Sequence, residues 1–291
     1  MKPLARATLA LEGLSVADAF GEQLLHAGPA TRELALGERT TPRGKNWRWS
    51  DDTAMAVSIV ETLALHDGID PEELALRFAR RYVADPARGY GRGAHTVLAE
   101  IAQGTPYEVA AAQIFDGQGS CGNGGGMRSA PIGAYFADDL EAVVEHAARS
   151  AAPTHAHADG IAGAVAVAVA AAGVVKGERD PRALLEAVVE RTPKGPTREG
   201  VRRAIAMLRA EPITVACELG NGSRVLAADT VPFALWCAAT HLADYAAALW
   251  ACASVGGDID TTCAMVGGII VGAVGLAGIP AEWHAAREPL P

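Results

Sequence analysis

Two long runs of small and apolar residues constrain the fold of this chain more than any other feature. The run Ile161–Val175 carries no charge, and neither does the segment from Thr262 to Ile279. A helix that is apolar on every face must be surrounded by apolar material, either inside a large protein or in a membrane. The second run contains five glycines, has no basic flank and closely follows two aspartates. We therefore interpret both runs as central helices of a helical bundle rather than as membrane spans.

The remaining composition favours helices throughout. Hydrophobic residues make up 50% of the 291 residues, only 5% are aromatic, and long runs of alternating β-branched and polar residues are missing. Abundant alanine favours helix formation, and small residues allow close helix packing. We therefore predict an all-α fold. Because no segment resembles a linker, we expect a single domain over residues 1–291.

Helical periodicity places the individual elements. Ser15 is a plausible N-cap for the first helix, and Pro131 interrupts a later one. The region from Thr214 to Leu226 is the least clear. Helices are predicted over Ser15–His26, Thr53–His66, Pro71–Val83, Gly93–Gln103, Met127–Tyr135, Leu140–Ala151, His155–Val175, Pro181–Arg191, Arg198–Arg209, Pro232–Leu242, Asp244–Ser254 and from Asp260 onward.

The net charge and the cysteines indicate which binding partners and which cellular compartment to expect. The formal net charge of −9 excludes a basic surface spread over the whole sequence, as general nucleic-acid binding would need. The five cysteines are scattered and form no CxxC pair, which is typical of reduced thiols. No signal-peptide pattern follows Met1. We expect a soluble, cytoplasmic protein that does not bind membranes.

Two acidic clusters stand directly before predicted helices. The first contains Asp51 and Asp52, and the second contains Asp258 and Asp260 after two glycines. Helix capping explains either cluster alone, because Ser and Asp side chains accept hydrogen bonds from the first N–H groups of a helix. One cap needs only one carboxylate, however, and the helix after Asp260 is almost uncharged. Together, the clusters predict several carboxylates in a protected place.

Buried carboxylates in this number would be very unfavourable without cations. Divalent cations with oxygen ligands resolve the conflict, and the hydroxyls of Ser50 and Thr261 could add ligands. Mg²⁺ or Mn²⁺ fits this ligand set, whereas zinc prefers His or Cys. We predict a site for divalent metal ions between the two acidic clusters.

A glycine-rich loop and a pair of histidines lie between the acidic clusters. The segment Gly119–Arg128 contains five glycines, counting Gly119. Backbone N–H groups of such a loop can hold a phosphate or diphosphate, and a flexible connection is the alternative. Of His155 and His157, one could bind a ribose hydroxyl. A structural histidine is the alternative for each.

These motifs resemble those of the ADP-ribosylglycohydrolases, in the order found in that family. The segment Ser50–Met55 resembles the family's (Thr/Ser)-Asp-Asp-Thr-x-Met motif, and Gly122–Arg128 resembles Gly-Asn-Gly-x-x-Met-Arg. The step Thr154-His155 matches a Thr-His step before a long helix. The segment Gly256–Thr261 is similar to Gly-Gly-Asp-x-Asp-Thr, and Gly13–Gly21 is similar to an opening Gly-x-x-x-Gly-Asp-Ala-x-Gly.

The resemblance implies a compact orthogonal multi-helix bundle and a hydrolase that removes ADP-ribose from an acceptor. It implies two divalent cations, Mg²⁺ or Mn²⁺, and as partner ADP-ribose or an ADP-ribosylated macromolecule, nucleic acid included only if it carries ADP-ribose. It further implies a diphosphate on the glycine loop, His155 near the distal ribose and Phe115 against adenine. The metal ligands so implied are Ser50, Asp51, Asp52, Asp258, Asp260 and Thr261. In the hydrolysis so implied, we expect Asp52 or Asp258 to accept the proton of the attacking water. The substrate-binding residues are Phe115, Gly119, Ser120, Cys121, Gly122, Asn123 and His155.

Two departures from the family pattern affect these expectations. Ala17 stands where the opening segment usually has Gly. Relatives that act on serine acceptors carry a glutamate shortly after that segment, where this chain has Leu25; Glu22 is nearby but not aligned. Two alternatives stay open. One is a non-catalytic ADP-ribose-binding protein or structural relative, such as the lens crystallins that share this fold. The other is a different dimetal hydrolase acting on a nucleotide.

Overall fold

The computed structural model describes residues 1–291 and contains 17 α-helices and no strands. The prediction of an all-α fold is confirmed. Isolated bridges between Trp47 and Arg287 and between Gly122 and Leu226 provide the β-type pairing, and a short 3-10 helix spans Leu276–Gly278. The helices are α1 Pro3–Leu25, α2 Pro29–Glu38, α3 Asp51–His66, α4 Pro71–Ala84, α5 Arg92–Ala102, α6 Tyr107–Gly117, α7 Gly124–Met127, α8 Ala130–Tyr135, α9 Leu140–Ala151, α10 Ala158–Val175, α11 Pro181–Arg191, α12 Pro196–Ala206, α13 Pro212–Leu219, α14 Ala227–Thr240, α15 Tyr245–Ala253, α16 Ile259–Val274 and α17 Ala281–Ala286.

The two apolar runs form α10 and α16, which lie at the centre of the bundle. Helix α10 packs against α7, α8, α9, α11, α14 and α16, and α16 packs against α1, α14 and α15. Helix α10 alone has the length and hydropathy of a membrane span, but 78% of it is buried inside the molecule. Burial against neighbouring helices therefore accounts for its apolar faces, as the sequence predicts.

Helices α1 and α16 form the most extensive helix pair, and their contact depends on small residues. A Cβ atom added to Gly21 would lie 2.4 Å from the Cα atom of Asp260, and one added to Gly267 would lie 2.3 Å from the Cβ atom of Ala17. Real Cβ atoms do not approach so closely, so larger side chains would separate the helices. The close approach places the C-terminal half of α1 beside the start of α16.

Several predicted helix boundaries are wrong, each for a local reason. Helix α1 begins at Pro3, and Ser15 is not its N-cap but a buried residue within it, whose hydroxyl donates to the carbonyl of Glu12. Helix α14 begins at Ala227 and includes Pro232, at the cost of one backbone hydrogen bond. The segment 127–135 divides into α7 and α8 around Arg128. Helices α2, α6, α13 and α17 were not predicted.

Candidate functional site

The N-terminus of α3 is held by two side chains, neither of which is Asp51 or Asp52. The Ser50 hydroxyl accepts a hydrogen bond from the N–H of Asp52 (3.1 Å). The buried Asp18 carboxylate, from α1, accepts from the N–H groups of Ser50 and Thr53 and from the Thr53 hydroxyl. Because the first N–H groups of α3 are thus paired, capping does not explain the two aspartates.

The start of α16 likewise leaves its aspartates free for another purpose. Gly256 and Gly257 have φ values of +69° and +80°, a left-handed conformation that favours glycine and turns the chain into the helix. Asp258 occupies the N-cap position, but its side chain caps no N–H group. It accepts instead a hydrogen bond from the amide of Asn123, at 2.7 Å. Capping therefore does not explain Asp258 either.

Carboxylates from three helices meet where α1, α3 and α16 converge. One oxygen from each of Asp18, Asp52 and Asp260 lies within 4.8 Å of the other two. The Thr261 hydroxyl donates to Asp52 at 3.4 Å. One oxygen of Asp52 and one of Asp260 are buried without any hydrogen-bond partner. Asp51 and Asp258 are not in this group of three but line the adjoining cavity.

Sequence reasoning missed two carboxylates at this point, both on α1. Asp18 lies in the segment that resembles the family's opening motif, and Glu22 follows it by four residues, on the same helix face. A Cβ atom added to Gly89 would lie 3.9 Å from a Glu22 oxygen and 3.6 Å from an Asp51 oxygen, and burial and the charge of Asp260 raise the pKa of Glu22. Helical spacing from Asp18 was the signal that could have found Glu22.

Burial and the charges of neighbouring carboxylates disfavour ionisation of four aspartates, namely Asp18, Asp51, Asp52 and Asp258. Burial, and then the charge of Asp260, raises the pKa of Asp258 to about 7. Burial also raises the pKa of Asp18 to about 7, and it raises those of Asp51 and Asp52 well above their ordinary value. An all-oxygen donor set with unpartnered carboxylate oxygens and excess negative charge fits divalent cations such as Mg²⁺ and Mn²⁺.

The raised pKa values predict how the metal-free protein responds to pH. A carboxyl group with a folded-state pKa near 7, above its ordinary 3.8, stabilises the fold fully at low pH and loses this contribution as pH rises through 7. In chelator, we expect the melting temperature to fall between about pH 5 and pH 8. Added Mg²⁺ should raise it most at the alkaline end. A Mg²⁺ effect that is equal at both ends would contradict this.

A cavity of about 630 Å³ opens from the acidic cluster. A larger cavity, of about 830 Å³, adjoins it but contains none of the α3 or α16 carboxylates. The backbone N–H groups of Ser120 and Cys121, on the wall of the smaller cavity, donate to no group within the chain. Arg92, also on that wall, forms no ion pair. These donors make the wall suitable for an anion. The predicted residues that line the cavity are Asp51, Phe115, Gly119, Ser120, Cys121, Gly122, Asn123, His155, Asp258, Asp260 and Thr261.

Phe115 and His155 lie on the same cavity wall. Phe115 is 50% exposed, and both it and Asp116 adopt left-handed backbone conformations at the end of α6. Such a conformation is unusual for an aromatic residue and suggests a functional constraint. His155 is buried beside the glycine loop, and its Nδ1 atom lies 2.7 Å from the Thr154 hydroxyl. His157 also lines the cavity, and its Nδ1 atom caps α10 by accepting a hydrogen bond from the N–H of Asp159, as the structural interpretation predicts.

Comparison with known proteins gives consistent results. The family model described as ADP-ribosylglycohydrolase matches residues 1–289. ADP-ribosylhydrolase ARH3 of Homo sapiens is 31% identical over 82% of this chain and 74% of its own length. The ARH3 of Mus musculus is 30% identical over 87% of this chain and 76% of its own length. A solved structure titled ADP-ribosylglycohydrolase-related protein complex matches with a TM-score of 0.69 and 25% identity, over 98% of this chain and 93% of that one.

Proposed function

Because the chain belongs to the ADP-ribosylglycohydrolase family, we propose that it removes ADP-ribose from a modified acceptor by hydrolysing the bond at the anomeric carbon of the distal ribose. The observation that carries the proposal is the position of the carboxylate cluster. It lies at one end of a cavity whose wall also offers free backbone donors and an aromatic ring. A ribose, a diphosphate and a base each have a suitable partner there.

The cavity wall suggests how ADP-ribose lies. The distal ribose would contact Asp258 and Asp260, and the diphosphate would accept hydrogen bonds from the free N–H groups of Ser120 and Cys121. Gly119 has a φ of +71°, and a Cβ atom there would lie 2.7 Å from Ala156, so only glycine fits. The adenine would stack on the exposed ring of Phe115.

The carboxylate cluster fits two divalent cations, Mg²⁺ or Mn²⁺. The residues that would hold them are Ser50, Asp51, Asp52, Asp258, Asp260 and Thr261. When bound, such cations polarise the ribose hydroxyls and lower the pKa of an attacking water. Both Asp18 oxygens accept hydrogen bonds from the start of α3, so we assign Asp18 to positioning Asp51 and Asp52.

Asp52 and Asp258 are the two candidates to accept the proton of the attacking water. Asp258 lines the cavity, whereas Asp52 is 1% exposed and lies beneath it. Asn123 occupies one oxygen of Asp258 and leaves the other available. We therefore favour Asp258, with the positive charge that develops on the ribose balanced by the surrounding carboxylates.

The purified chain incubated with ADP-ribosylated protein, ADP-ribosylated DNA and free ADP-ribose, each with Mg²⁺ or Mn²⁺, tests the proposal. We expect intact ADP-ribose to be released from at least one modified acceptor. Cleavage of the diphosphate would instead identify a nucleotide hydrolase, and tight binding without product would identify a binding protein. The same panel identifies the acceptor. The cytoplasmic location stays a prediction.

Replacing Phe115 by alanine should weaken substrate binding without unfolding the protein. A stacked base contributes about 1–3 kcal/mol, so KM should rise by about 5- to 150-fold while kcat changes little. Val109→Ala is a matched control, because Val109 is also on α6 and is 42% exposed against 50% for Phe115. Equal KM values for Phe115→Ala and the unmodified protein would show that the ring does not contact the substrate.

A further inference from the structure

The buried guanidinium of Arg128 is used to hold a side chain rather than to form an ion pair. Arg128 is 1% exposed, and its charged group lies 4.5 Å from the ring centre of Phe78. It donates to the Ser150 carbonyl at 3.0 Å and to the Thr154 hydroxyl at 2.8 Å. No carboxylate lies within ion-pair distance. A buried cation is costly, so its retention requires a reason.

Thr154 connects Arg128 to His155 through hydrogen bonds of its hydroxyl group. A guanidinium has donors and no acceptor, so the Thr154 oxygen must accept from Arg128. The single hydroxyl hydrogen is then free to point at His155 Nδ1, 2.7 Å away, the one acceptor that the hydroxyl contacts. If Nδ1 carried the proton instead, this hydrogen would be buried without a partner, which is unfavourable. The network therefore selects the tautomer with the proton on Nε2.

The Nε2 atom of His155 faces the glycine loop. A Cβ atom added to Gly124 would lie 3.5 Å from Nε2, and one added to Gly122 would lie 3.7 Å from it. Nε2 makes no hydrogen bond within the chain, although His155 lines the cavity. Burial and the nearby charge of Arg128 also lower the pKa of His155 to about 3, so the ring is neutral near pH 7.

We propose that Arg128 and Thr154 are positioning residues that fix His155 as a neutral Nε2–H donor toward an oxygen of the ligand in the cavity. The identity of that ligand as ADP-ribose rests on the function proposed above. The tautomer follows from the hydrogen-bond network alone. A neutral donor would keep the same hydrogen bond between about pH 5 and pH 8, where an ordinary histidine changes its charge.

NMR of isotope-labelled histidine in the full chain tests the tautomer without requiring turnover. In the unmodified protein, His155 should carry its proton on Nε2 and remain neutral between about pH 5 and pH 8. Thr154→Val should lose this single tautomer, and Thr154→Ser, which restores the hydroxyl, should regain it. A proton on Nδ1 in the unmodified protein would overturn the proposal, even if no variant folded.

Calorimetric titration with ADP-ribose tests the second half of the proposal. Thr154→Val should weaken binding by about 10-fold, as expected for one misoriented hydrogen bond, and Thr154→Ser should bind nearly normally. Thr197→Val is the control, because the buried Thr197 hydroxyl has no hydrogen-bond partner. Unchanged affinity in Thr154→Val, or no binding by the unmodified protein, would overturn this half. Normal binding without hydrolysis would refute the proposed function alone.

Discussion

Replacement of Asp260 by asparagine is expected to abolish hydrolysis and the stabilisation by Mg²⁺ together, while the metal-free protein becomes more stable. Asp260 lies within 4.8 Å of Asp18 and Asp52, and one of its oxygens is buried without a partner. Loss of a group that only orients a metal ligand typically lowers activity by about 10–100-fold. Loss of a ligand itself should lower activity at least as much, so we expect turnover to fall by about 100-fold or more. Release of ADP-ribose and melting temperatures with chelator or Mg²⁺ measure both effects.

The opposite changes in stability and activity separate this result from misfolding. Removing one negative charge relieves repulsion among carboxylates that have no cation between them, so the chelated variant should melt above the chelated unmodified protein near pH 8. Asp244→Asn is the control. Asp244 caps α15 by accepting from the N–H of Ala247, and asparagine caps equally well. An Asp260→Asn variant that keeps its Mg²⁺ response would refute the assignment.

Replacement of Gly21 by alanine should cost both stability and function, although Gly21 itself binds nothing. The added Cβ atom would lie 2.4 Å from Cα, and 2.8 Å from the backbone N, of Asp260. Backbone atoms cannot rotate away, so α1 and α16 must separate. Overpacking of this kind costs about 1–3 kcal/mol. The carboxylates of Asp18 and Asp260 would then move apart, and we expect weaker Mg²⁺ stabilisation as well.

The matched substitution is Gly37→Ala, in α2. Nothing lies within 4 Å of a Cβ atom added to Gly37, and alanine at an open helical position stabilises by about 0.4–1 kcal/mol. Denaturant unfolding of both variants should therefore give shifts of opposite sign. If Gly21→Ala were as stable as the unmodified protein and kept its Mg²⁺ response, the close approach of α1 and α16 would not be what assembles the site.

The sequence predicts the central helices well, because a helix that is apolar on every face must be surrounded by apolar material. Helices α10 and α16 lie where their uncharged runs require, and the turn at Gly256 and Gly257 brings Asp258 to the cavity. Asp18 stands at the aspartate of the opening motif, but a single aspartate within an apolar helix does not show which groups it contacts. Its neighbours Ser50 and Thr53 lie more than 30 residues away in sequence, so only tertiary packing reveals the contact.

The glycine loop shows a second limit of local reasoning. Because the loop precedes the predicted helix Met127–Tyr135, the sequence also predicts that a helix dipole assists phosphate binding. The loop instead leads into α7, which has only four residues, so a helix dipole contributes little. What the loop offers is unpaired N–H groups at Ser120 and Cys121. Anion binding by the loop is thus supported by unpaired N–H groups rather than by a helix dipole. The identity of the bound anion stays a prediction.

The most direct measurement of the central claim is anomalous diffraction from a crystal of the full chain grown with Mn²⁺. If α3 and α16 share their cations, two anomalous peaks should lie between them, within ligand distance of Asp52 and Asp260. Crystals that show no peak there, with these carboxylates contacting only protein or water, would contradict the account.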